Sequence, residues 1–92
     1  MSVGFVEEPY DMEGSQMDKV RVRRISPSER RILHRMKRQR HNAVNSNHAR
    51  TILMSSGRLS NREIAQRVGY SPQWAREVIH RFNRDGVGAI QW

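Results

Sequence analysis

The chain has 92 residues, enough for one small domain with a core of about a dozen apolar side chains. It contains no cysteine, which excludes disulfides, thiolate metal sites and a cysteine nucleophile. Residues 1–18 carry five acids and no Lys or Arg, whereas the 17 Lys and Arg of residues 19–92 meet only four acids, so a formal +8 overall becomes +13 on that segment. Such self-repulsion calls for a polyanion as partner, and no apolar run approaches a membrane span.

Residues 1–18 combine Gly4, Pro9 and Gly14 with the five acids and no sustained period, which predicts a disordered acidic leader. A basic arm over residues 19–25 follows, where Val20 to Ile25 alternate like a short strand or lie extended. Arg21, Arg23 and Arg24 of that arm are candidate DNA contacts, since the negative potential of a narrow minor groove attracts arginine. The folded domain is predicted over residues 26–92. Ser26 as cap, Pro27 at the first position and Glu29 at the third start a helix that should run to about Arg40. Its apolar stripe of Ile32, Leu33 and Met36 is too narrow to be stable alone and must dock. A second helix is predicted from Ala43 to Ser56, presenting Val44, Ala49, Ile52 and Leu53 inward, with Gly57 ending it.

The most informative stretch begins at Ser60. Ser60 and Glu63 form a capping box for a helix over 61–68, whose buried face is Ile64, Ala65 and Val68. Gly69 marks a tight corner, and Ser71 with Pro72 starts another helix that reaches Asp85. On that helix Ala75, Val78, Ile79 and Phe82 face inward; Gly86 stops it, and Val87 and Ile90 can fold back on the core. Two short helices with a small residue at their crossing and a glycine corner make a helix-turn-helix, the arrangement that lays its second helix in the DNA major groove.

The face opposite Ala75 and Val78 carries Gln73, Arg76, Glu77 and His80, the candidate base contacts. Arginine suits guanine, glutamine adenine, and a carboxylate can accept from cytosine N4. Ser71, Arg62, Gln66, Arg81 and Arg84 are the candidate contacts to the DNA backbone. Trp74 borders the buried face and is read as core rather than as a DNA contact, and Tyr70 as packing over the corner. The four histidines lack ligand spacing and acidic companions, so neither a metal site nor a cofactor is expected.

The run from Ile25 to Trp92 resembles the N-terminal DNA-binding region of bacterial insertion-sequence transposases related to the mariner type. The likeness is carried by Ser26-Pro27-Ser28-Glu29-Arg30, by Ala49 to Ala65, by Val68-Gly69-Tyr70-Ser71-Pro72 and by Arg81 to Val87. Trp74 and Ala75 depart from the pattern, which has a small hydroxyl residue followed by a branched aliphatic. The resemblance implies recognition of the inverted repeats at an element's ends, with cutting and joining left to a separate domain that uses three carboxylates and two metal ions. Of the four acids beyond residue 18, Glu29 and Glu63 serve as caps while Glu77 and Asp85 share one helix, so they do not supply a two-metal site. The expectation is an all-α, homeodomain-like bundle that binds double-stranded DNA in the cytoplasm, at the nucleoid, without catalysis. Transposon-end recognition leads, a stand-alone transcriptional regulator is the alternative, and a homodimer is compatible with either.

Overall fold

The computed structural model describes residues 20–91, so the expected acidic leader lies outside the described residues. Among the described residues four helices follow one another: α1 (Pro27–Lys37), α2 (Ala43–Ser56), α3 (Asn61–Val68) and α4 (Pro72–Asp85), closed by a 3-10 turn at Val87–Ile90. Among the described residues there is no strand, and no helix is long and apolar enough to cross a membrane. The fold is a small all-helical bundle containing a helix-turn-helix.

The helix starts follow from local chemistry. Ser26 accepts from the amide of Glu29 while Glu29 accepts from the amide of Ser26, and Ser60 and Glu63 repeat that reciprocal box on α3. Asn42 caps α2 through the amide of Asn45, and Ser71 caps α4 through that of Trp74 at 3.1 Å. Each such cap satisfies an amide that the helix itself leaves unpaired, a contribution of about 1 kcal/mol.

Helix α1 stops at Lys37 rather than near Arg40. Arg38 and Gln39 turn their amides back onto the Arg35 and Met36 carbonyls, and the chain must reverse before Asn42 can start α2. Leu33 and Met36 are buried as expected, with Ile32 half-buried beside them.

On α2, Ala49 and Ile52 are buried and Leu53 packs on the core as expected, but Val44 does not face inward. Val44 is 49% exposed, and the buried stripe is Asn45, His48, Ala49, Ile52 and Ser55, with Thr51 at its edge. At 100° per residue, position 44 belongs to the neighbouring face, and three polar residues take inward positions in its place. The core gathers Leu33, Met36, Ile52, Ile79, Phe82 and Ile90, drawn from α1, α2, α4 and the terminal turn. Ile90 is fully buried, so the tail does fold back.

The arm forms no strand. Residues 20–25 have no regular secondary structure, and Val22 donates its amide to Ser55 Oγ at 2.9 Å. Arg23 N–H donates to Asn83 Oδ1 at 2.8 Å, and Asn83 Nδ2 returns a bond to the Arg21 carbonyl at 3.0 Å. With Ile25 buried as well, the segment is docked on α2 and α4.

Candidate nucleic-acid interface

The corner between α3 and α4 is built on Gly69, whose φ of +86° is a left-handed conformation that side chains disfavour. Both Gly69 and Tyr70 donate their amides to the Ala65 carbonyl, at 2.8 and 3.1 Å, which closes the end of α3. Ala65 is buried at the crossing, where a larger side chain would push the helices apart. Tyr70 stacks on Trp74 with ring centroids 4.4 Å apart, and Trp74 in turn lies 5.7 Å from the His48 ring. Trp74 packs against the core cluster as expected, and Tyr70, 49% exposed, covers the corner from outside.

This corner aims α4 outward. Ala75, Val78, Ile79 and Phe82 are buried, whereas Gln73, Glu77, His80, Arg81 and Arg84 are exposed along the other side. Glu77, His80, Arg81 and Arg84 line a shallow depression of about 340 Å³ on that face. Arg84 pairs with Asp85 at 3.0 Å, but both side chains are more than half exposed, so the pair holds little energy and releases readily to a phosphate. Arg76 is half-buried, and its buried Nε has no hydrogen-bond partner. On α3, Arg62 and Gln66 are exposed one turn apart. Ser71 uses its oxygen to cap α4 and keeps its hydroxyl proton available to a phosphate oxygen.

The three arm arginines separate into two kinds. Arg23 is committed: its guanidinium forms a two-point pair with Glu29 at 2.7 and 3.0 Å, donates to the Arg24 carbonyl, and lies 4.5 Å over the Phe82 ring. That pair holds the Glu29 carboxyl down to about 2, with the Arg23 hydrogen bond as the largest cause and the Ser26 amide next. Arg21 and Arg24 are exposed, and neither has a carboxylate partner among the described residues.

Sequence reasoning missed Arg30 and Arg58, which flank the arm, and His48, which supports Trp74 from inside the bundle. Charge alone flags every arginine in such a chain, and only the docking of the arm selects these two.

The helix-turn-helix geometry agrees with a comparison to protein families: residues 48–91 match the model described as winged helix-turn helix. Within that segment the described residues form the latter part of α2, then α3, α4 and the 3-10 turn, with no β wing. The match supports a helix-turn-helix DNA-binding region. Comparison with curated proteins and with solved structures returned no match.

Proposed function

We propose that the chain binds double-stranded DNA with sequence preference and without catalysis, by placing α4 in the major groove. The observation that carries this reading is the outward face of α4, where Gln73, Glu77 and His80 are exposed and Arg76 is half-buried among the described residues, while the opposite face is sealed into the core. Gln73, Arg76, Glu77 and His80 are the residues assigned to base edges. Arg76 is half-buried, with its Nε buried and only part of the side chain open to solvent. The terminal amino groups of its guanidinium are the part assigned to guanine. Ser71, Arg62, Gln66, Arg81 and Arg84 flank the face and are assigned to phosphates, which hold register without reading sequence.

The resemblance to insertion-sequence transposases favours transposon-end recognition over a stand-alone regulator, with the cytoplasm as the compartment. Selection of bound sites from a random duplex library tests both levels. An asymmetric terminal repeat supports the transposon reading, a palindromic operator supports the regulator, and the absence of any enriched site contradicts sequence preference. Affinity is also expected to fall by roughly 10³–10⁵ between 50 and 200 mM salt if about six to ten phosphates are neutralised.

A further inference from the structure

A second concavity is lined by residues other than those of the outward face of α4. It sits between the docked arm, the start of α1 and the corner joining α2 to α3, and has a volume of about 590 Å³. Arg21, Arg23, Arg24, Arg30 and Arg58 line it together with the hydroxyls of Ser55 and Ser56. It is open to solvent, and its size is that of clefts that seat groups of nucleotide dimensions.

Internal partners compensate only part of this charge. Arg23 is neutralised by Glu29 and acts as a bracket, while Gly86 passes close enough that an added Cβ would sit 3.7 Å from both groups. Arg30 donates to Ser56 Oγ at 3.2 Å. The last carbonyls of α2 do not absorb the remainder, because Leu53, Met54 and Ser55 already accept from the amides of Gly57, Leu59 and Arg58. Arg21, Arg24 and Arg58 therefore bring uncompensated guanidiniums to the rim among the described residues. Ser55 and Ser56 use their oxygens as acceptors for Val22 and Arg30 and each keeps a proton to donate.

A further observation is independent of charge. Arg58 has φ +72°, which makes it the one residue other than glycine with positive φ among the described residues. Glycine or asparagine takes that conformation more readily, so the backbone at this corner gives no reason for an arginine. Its side chain does: it lines the same cavity as Arg24 of the arm. A solvated arginine face needs neither a pinned arm nor a strained residue.

We infer that this cavity is a phosphate-binding site for the DNA sugar–phosphate strand, a second contact outside the groove entered by α4. The inference rests on the DNA-binding reading and deepens it. Arg24, Arg58 and Arg21 supply charge-assisted bonds to phosphate oxygens, the serine hydroxyls donate from the floor, and Arg23 fixes the arm without touching the ligand. The arm thus grips backbone from a docked position.

The test compares the full chain with an Arg24→Ala, Arg58→Gly double variant, in which glycine suits the backbone at position 58. Binding of a 30-base-pair duplex is followed by fluorescence anisotropy across a salt series, with thermal melting as the check on the fold. The expected result is an unchanged melting temperature, an affinity at least tenfold lower, and a log–log salt slope shallower by about 1 for each phosphate no longer neutralised. Equal affinity and slope in a folded double variant overturn the inference and leave the α4 reading intact. Failure of the unaltered chain to bind any duplex overturns both. Inorganic phosphate titrated against the amide resonances of residues 22–25 and 55–59 distinguishes the source. Saturation there, combined with an unchanged duplex slope in the variant, makes the cavity a free-anion site and rejects the DNA assignment.

Discussion

His48 Nδ1 lies 3.0 Å from the Ile90 carbonyl, a bond that ties the middle of α2 to the terminal turn across 42 residues of chain. A carbonyl only accepts, so Nδ1 carries the proton and the neutral ring satisfies the bond. Burial lowers the His48 pKa below its usual 6.5, the bond to Ile90 works against that, and the charge of Arg81 lowers it further. The unfolded chain therefore takes up a proton first as pH falls. Stability attributable to His48 is full above about pH 6.5 and declines below it by at most about 1.4 kcal/mol per pH unit, until the folded pKa is reached. Urea melts between pH 8 and 5 should show this decline in the natural chain and a flatter profile in His48→Gln. Parallel profiles for the two would remove His48 as its source.

Glu29 defines a second, more acidic window. Its carboxyl is held at about 2 against 4.5 in the unfolded chain, so its contribution is present above pH 4.5 and is lost as pH falls from 4.5 toward 2. Glu29→Ala at pH 7 removes half of a capping box and the bracket on Arg23, a loss of about 1 kcal/mol or more. For a domain of this size that is a fall of about 4–8 °C in melting temperature. The difference between natural and variant chains should shrink at pH 2. A gap that persists there would mean that the carboxylate is not the group responsible.

Gly69→Ala tests the corner. Nothing lies within 4 Å of an added Cβ, so the penalty comes from the backbone φ of +86° alone. Calorimetry should register a loss of about 1–2 kcal/mol, with DNA affinity reduced only as far as the fold is. A neutral outcome would show that the corner relaxes without needing a left-handed residue.

The helix-turn-helix was legible in the sequence because each of its signals is local. Ser60 with Glu63, Gly69, and Ser71 with Pro72 each act within a single turn, and α3 begins and ends, and α4 begins, where those signals place them. The inward face of α2 was legible only in part: Ala49, Ile52 and Leu53 pack inward as the pattern predicts, but Asn45, His48 and Ser55 occupy buried positions that a hydrophobic pattern assigns to solvent. Two of them find partners far along the chain: His48 answers Ile90, and Ser55 answers Val22, 33 residues away. The docked arm was hidden for the same reason. Arg23 reads as one more cation until Glu29, Phe82 and Asn83 are brought around it.

Charge distribution makes a prediction for the leader. Residues 1–18 place five carboxylates directly before an arm whose Arg21 and Arg24 are exposed. Removing them should tighten binding to random duplex at low salt, because those carboxylates no longer compete with phosphates for the arginines. Equal or weaker binding by residues 19–92 would reduce the leader to an inert extension.

The most direct test of the central claim separates reading from holding on α4. Against a selected site and a random duplex of equal length, Arg76→Ala is expected to cost about 1–3 kcal/mol on the selected site and little on the random one. Arg62→Ala and Arg84→Ala should weaken both duplexes alike. Val78→Ala, only 3% exposed on the opposite face, should lower thermal stability first. Equal weakening of both duplexes by Arg76→Ala, with the fold intact, would contradict the assignment of this face of α4 to base reading.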